Sequence, residues 1–89
     1  MIETELPIIN KLGLHARASA KLVETAKAHG ATVQVGKPPR MVDAKSIMSV
    51  MMLGAKQGTV LTLTAEGNDA EAAVEAITAL AADYFGEGG

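Results

Sequence analysis

Between residues 2 and 9 apolar and polar side chains alternate. Thr4, Leu6 and Ile8 fall on one side and Glu5, Pro7 and Ile9 on the other, the period of two expected of a half-buried strand. Pro7 has no amide to give to a ladder, which places this strand at a sheet edge or beside a bulge. After the turn residues "NKLG" the period changes. Ala16, Ala20, Val23 and Ala26, flanked by Leu22, recur at helical spacing up to about Lys27, while Arg17, Lys21, Glu24 and Lys27 point elsewhere and Gly30 ends the run. "ATVQVG" and "RMVD" read as two short strands joined by a stiff "GKPP" turn. "SIMSVMMLG" reads as a helix of about two turns, opened by Ser46 as a cap and closed by Gly54. "TVLTLTA" sets Leu61, Leu63 and Ala65 against Val60, Thr62 and Thr64, a clear strand. In "NDAEAAVEAITALAADYFG" Asn68 is the expected cap, with Glu71 three residues on. Ala73 or Val74, Ile77, Leu80, Ala81 and Tyr84 then form the apolar stripe before Gly86.

The order β-α-β-β-α-β-α, with each helix apolar on one side, predicts an α+β open-faced β-sandwich. Its four-stranded, mainly antiparallel sheet would carry three helices on one face. No repeat or linker interrupts it, so residues 1–89 read as one domain. Of these 89 residues 48% are apolar but only Tyr84 and Phe85 are aromatic. The core must therefore be built from aliphatic side chains and alanines in closely spaced layers, leaving no ligand-sized cavity. The absence of cysteine excludes disulfides, thiolate metal sites and a thiol nucleophile. "MIETELPIINK" lacks the basic start and apolar run of a signal peptide, and no segment approaches about 18 continuous apolar residues. A cytoplasmic protein without membrane insertion is expected. The net charge of -2 hides an asymmetry: Lys11, Arg17, Lys21, Lys27, Lys37, Arg40 and Lys45 face only Glu24 and Asp43 within residues 11 to 45, and the remainder is strongly acidic. That pattern suits either an ordinary solvated surface or a cationic face for acidic partners or phosphate.

His15 stands between a glycine-bearing turn and a predicted helix, where it could be a core residue, a cap, a solvated side chain or a nucleophile. At a helix start the first amides lack intrahelical partners and the dipole is positive, so the position attracts anions and favours the neutral ring. A neutral imidazole can attack phosphorus. The amides of Ala16 and Arg17 and the Arg17 guanidinium would then lie beside the new negative charge. His29, at the predicted end of the same helix, suits the last carbonyls instead. Two histidines without clustered carboxylates or cysteines form no recognisable metal site, and no Ser/His/Asp triad can be nominated.

"GLHARASAKLV" together with "KSIMSVMMLGAKQGT" resembles the HPr family of phosphocarrier proteins of the bacterial phosphoenolpyruvate-dependent phosphotransferase system, over nearly the whole chain. The family's histidine accepts a phosphoryl group on its delta nitrogen from enzyme I and passes it to IIA proteins or domains. The resemblance implies that role for His15, with Arg17 as the arginine beside it and no cofactor. A proline common in the family is replaced by Ala18, in a first turn that tolerates proline without requiring it. The "KPP" turn departs from a more usual polar or glycine turn.

Ser46 matches the serine modified by an ATP-dependent HPr kinase/phosphorylase in some bacterial branches. A phosphate there would repel an acidic enzyme I surface drawn to Arg17, Lys21 and Lys45. In the helix that follows, Val50 and Leu53 suit the core, whereas Ile47, Met48, Met51 and Met52 are too many for one narrow stripe. Either they complete the core or some form an adaptable docking surface for several partners. A stoichiometric carrier, monomeric and with no catalytic turnover of its own, is thus the leading expectation. A nitrogen-related or purely regulatory paralogue is the alternative. A nucleic-acid-binding module would want aromatic stacking platforms that the chain lacks away from its end.

Overall fold

The computed structural model describes residues 1–88. Its elements are β1 (Ile2–Pro7), α1 (Ala16–Lys27), β2 (Thr32–Lys37), β3 (Arg40–Asp43), α2 (Ile47–Met51), β4 (Val60–Glu66), α3 (Ala70–Ala82) and a 3-10 turn at Tyr84–Gly86. The strands form one sheet in the order β1-β4-β2-β3, antiparallel at every pairing. This is the expected α+β open-faced sandwich, and β1, with its proline, is an edge strand. Register follows alternation. Leu6 faces Leu61, Val35 faces Leu63 and Val33 faces Ala65, which gathers the apolar side chains on the helix-covered face. Glu3, Glu5, Gln34, Thr62 and Thr64 share the open face.

The layer above is built from small residues. Ala18, Leu22, Val23 and Ala26 of α1 meet Ala70, Ala73, Ile77 and Ala81 of α3, so the helices approach closely over Val33, Val35, Leu61 and Leu63. The buried stripe of α1 is turned from the expected one, with Ala16 exposed and Ala18 and Ser19 inside. Burying Leu22 completely sets that rotation, and Ser19 is tolerated because its hydroxyl donates to the Leu14 carbonyl at 3.1 Å.

Three other expectations are corrected. Asp69, not Asn68, occupies the N-cap position of α3, and it makes no side-chain bond to its own helix. The last helix ends at Ala82, so Tyr84 is exposed and Phe85 is the largest fully buried side chain. Positive φ at Tyr84 and Phe85, 57° and 52°, turns the chain back toward the core, a left-handed conformation held by that burial. Helix α2 has five residues, somewhat shorter than the expected helix of about two turns. Ser46 is at its N-cap position, but its hydroxyl bonds the Ser49 hydroxyl at 3.0 Å instead of a helix amide.

Candidate functional site

Two loops are stitched together beneath the start of α1. Ile8 N donates to Thr59 O and Gly58 N to Ile8 O, each at 2.8 Å, and Leu14 N donates to Ala55 O at 2.9 Å. At Gly13, with φ +67°, a Cβ would lie 2.3 Å from the Ala55 carbonyl oxygen, so the close approach of the loops requires glycine. This junction delivers His15 to the N-cap position of α1, in extended conformation, with its carbonyl accepting from Ser19 N at 2.9 Å. The imidazole makes no bond to its own helix. It is 30% exposed and its Nε2 meets Oε2 of Glu87, a carboxylate that is only 12% exposed.

Asn10 supports that pair from below. Its wholly buried amide nitrogen donates to Gly13 O at 2.8 Å and to Glu87 Oε1 at 3.0 Å. Both partners are acceptors, so the amide can face only one way, and its own oxygen is left without a partner. Desolvation opposes ionisation of Glu87, but the Asn10 amide, the bond and charge of His15 and the charge of Lys21 together hold its carboxyl below the usual range. Lys21 reaches the same segment by donating from Nζ to the Phe85 carbonyl at 2.7 Å.

Beside His15 lies an open surface depression of about 790 Å³, lined by Lys11, Leu12, Ala16, Arg17, Gly86 and Glu87. Ala16 and Arg17, both exposed, are the first residues of α1. Their amides belong to the turn that lacks intrahelical acceptors, which suits an anion. Lys45 is half-buried, with Nζ donating to the His29 carbonyl at 2.9 Å, while the His29 ring bonds the Thr25 carbonyl at 2.9 Å. The last turn of α1 is thus closed by side chains, as expected for His29.

Helix α2 exposes Ile47, Met48 and Met51, with Met52 exposed at its C-cap, and buries only Val50. Leu53, expected in the core, follows the helix and is half-buried. Sequence reasoning found His15, Ala16 and Arg17 as neighbours but missed Asn10 and Glu87. "FGE", after the last helix, was the available signal, a glycine turn followed by a carboxylate. Among the described residues there is no group of His, Cys, Asp or Glu side chains that could hold a metal ion. Among the described residues no helix is long and apolar enough to cross a membrane.

The site is thus an accessible imidazole at the head of a helix, opening on a shallow depression rather than an enclosed cavity. The chain matches the family described as "PTS HPr component phosphorylation site" over residues 2–83, and it belongs to that HPr phosphocarrier family. The phosphocarrier protein HPr of Cupriavidus necator is 51% identical over 99% of both chains. The crystal structure of HPr-C-His from Thermoanaerobacter tengcongensis matches with a TM-score of 0.93 at 46% identity, over 98% of each chain. A dimer of HPr from the same bacterium matches at 0.78, also with 46% identity, over 98% of this chain and 100% of that one. The phosphocarrier protein NPr of Shewanella violacea is 38% identical over 97% of this chain and 94% of its own.

Proposed function

We propose that His15 carries the phosphoryl group, accepting it on Nδ1 from enzyme I and passing it to IIA proteins or domains. The observation that carries this reading is the position of the ring: at the head of α1, accessible, free of its own helix and next to Arg17. The Nδ1 lone pair forms the new nitrogen–phosphorus bond while the bond from phosphorus to the donor breaks, its electron pair staying with the donor. The unpaired amides at the helix start and the Arg17 guanidinium stabilise the added negative charge. The reverse displacement hands the group to the acceptor, so the protein is a stoichiometric carrier rather than an enzyme with its own turnover.

Exposed Ile47, Met48, Met51 and Met52 fit a docking surface that must accept unlike partners in turn, with Lys45 just before them in sequence and Lys21 on α1 contributing positive charge. We read Ser46, at the N-cap position of α2, as the residue for regulatory phosphorylation by an HPr kinase/phosphorylase. The working unit in this reading is the single chain, and a cytoplasmic setting goes with these partners. Higher identity to an HPr than to the NPr relative favours the sugar-uptake branch over a nitrogen-related or purely regulatory role.

Incubation with phosphoenolpyruvate and enzyme I, followed by intact mass, tests the reading. One acid-labile phosphoryl group is expected on the wild-type chain and none on a folded His15→Ala variant. Labelling that survives in His15→Ala overturns the assignment.

A further inference from the structure

We propose that Glu87 is a positioning residue that keeps the proton of the neutral His15 ring on Nε2 and so reserves the Nδ1 lone pair for phosphorus. The inference rests on His15 being the phosphoryl carrier and adds which group selects the reactive nitrogen.

An ionised carboxylate only accepts hydrogen bonds, so a ring nitrogen that bonds it must carry the hydrogen. The nitrogen facing Glu87 is Nε2. In the neutral ring this leaves the lone pair on Nδ1. The environment described above keeps the carboxylate ionised, with the buried Asn10 amide on Oε1 and Lys21 close by. Its placement is also fixed from behind. Positive φ at Tyr84 and Phe85 turns the chain back after α3, Phe85 is sealed in the core, and Lys21 holds the Phe85 carbonyl. The charged groups around the pair are Lys11 and Arg17, which line the same depression, and Lys21 from within α1. They offset the repulsion between Glu87 and an incoming phosphoryl group.

When Nδ1 forms its bond to phosphorus, the ring gains positive character, which the Nε2–H bonded to the carboxylate stabilises. The proton stays on Nε2 throughout, and the bond from phosphorus to the donor breaks with its electrons on the donor. On the return step the pair of the nitrogen–phosphorus bond goes back to Nδ1, and the neutral ring is left with its proton still on Nε2.

The orientation of Asn10 makes the test asymmetric. In a Glu87→Gln variant, the side-chain oxygen must stay with the Asn10 amide, so the NH₂ faces His15 Nε2. The ring must then accept at Nε2 and carry its hydrogen on Nδ1, the tautomer unable to attack. Glu87→Ala imposes no tautomer. Nitrogen NMR shifts of the His15 ring in the free protein, together with phosphoryl-transfer rates, provide the two readouts, and thermal melts establish that each variant folds. Expected are the Nε2–H tautomer in the wild type and the Nδ1–H tautomer in Glu87→Gln. Transfer by Glu87→Gln should be slower by on the order of ten- to a hundredfold, the range of a charge-assisted hydrogen bond, with Glu87→Ala less impaired. An unchanged tautomer in Glu87→Gln, or equal slowing in both variants, overturns the proposal. The tautomer is read without any phosphoryl donor, whereas failure of enzyme I to label the wild-type chain would sink the carrier reading instead.

Discussion

Asp69 occupies the N-cap position of α3, yet its carboxylate serves another segment. Oδ2 accepts from Gly30 N and Oδ1 from Ala31 N, both at 2.8 Å, tying the end of the first helix to the start of the last. The Gly30 amide, opposed by desolvation and aided by the amides of Ala31 and Asp69 and the charge of His29, lowers its pKa from the ordinary 3.8. A folded-state pKa below the unfolded one means that the stabilisation is complete above the unfolded value and is lost as pH falls through the folded one. In Asp69→Asn the side-chain NH₂ would face one of two backbone donors, so the variant should be less stable at neutral pH. Its deficit should shrink as pH drops below 3.8, because the wild-type carboxylate is being protonated over that window. Urea midpoints at neutral and acid pH check this, and a deficit constant with pH would count against it. The same kind of long-range contact explains what the sequence hid at the site. His15, Ala16 and Arg17 are adjacent in the chain, so their shared chemistry can be read directly. The bond from His15 to Glu87 spans 72 positions and that from Asn10 to Glu87 spans 77, separations on which local periodicity carries no information.

Among the elements, strands were more legible than helix faces. A period of two leaves two choices of side, and burial of Leu61, Leu63 and Ala65 decides between them. An alanine-rich helix offers several faces of nearly equal hydrophobicity, so packing by Leu22 rotated α1 away from the stripe that its alanines suggested. In α3 the apolar pattern runs past the helix because Phe85 is buried by a reversal of the chain, not by another helical turn. Helix α2 is the case in which excess hydrophobicity was informative. Met48 and Met52, 64% and 67% exposed, cannot be supporting the fold, whereas Val50 is wholly buried. Val50→Ala should cost about 2–3 kcal/mol of stability through lost burial and the space left behind. Met48→Ala and Met51→Ala should each stay near 0.5 kcal/mol or below, as surface substitutions do. Binding should rank the other way, with the two methionine variants weakened toward enzyme I by roughly tenfold if they lie at the centre of contact. Melts and titrations on the three variants check both rankings. Methionines as destabilising as Val50, with binding untouched, would move the docking surface off α2.

Across the whole molecule, positive charge is concentrated in residues 11 to 45 although the net charge is -2. Two of the lysines among them are used internally. The ammonium of Lys21 holds the Phe85 carbonyl, and that of Lys45 holds the His29 carbonyl. Bonding to a neutral carbonyl leaves each charge intact, so both still contribute to the positive field of this surface. Ser46 adjoins Lys45 and begins α2, between this cationic stretch and the exposed methionines. A Ser46→Asp substitution therefore acts in two ways that can be separated. It removes the hydroxyl pair with Ser49, a local change insensitive to salt, and it introduces a negative charge beside the proposed docking face. Aspartate is a good residue at a helix start, so α2 should persist and thermal stability should change little. Repulsion of an acidic enzyme I surface should then be the main effect, weakening docking and slowing phosphorylation of His15. Exposed charges more than about 8–10 Å apart are largely screened at physiological salt, so the loss should be large in dilute buffer and should narrow steadily as salt is raised. Enzyme I titrations of wild type and Ser46→Asp across a salt series measure it. A loss of equal size at every salt concentration would show that the Ser46–Ser49 contact and the shape of α2, rather than the charge of the surface, control docking.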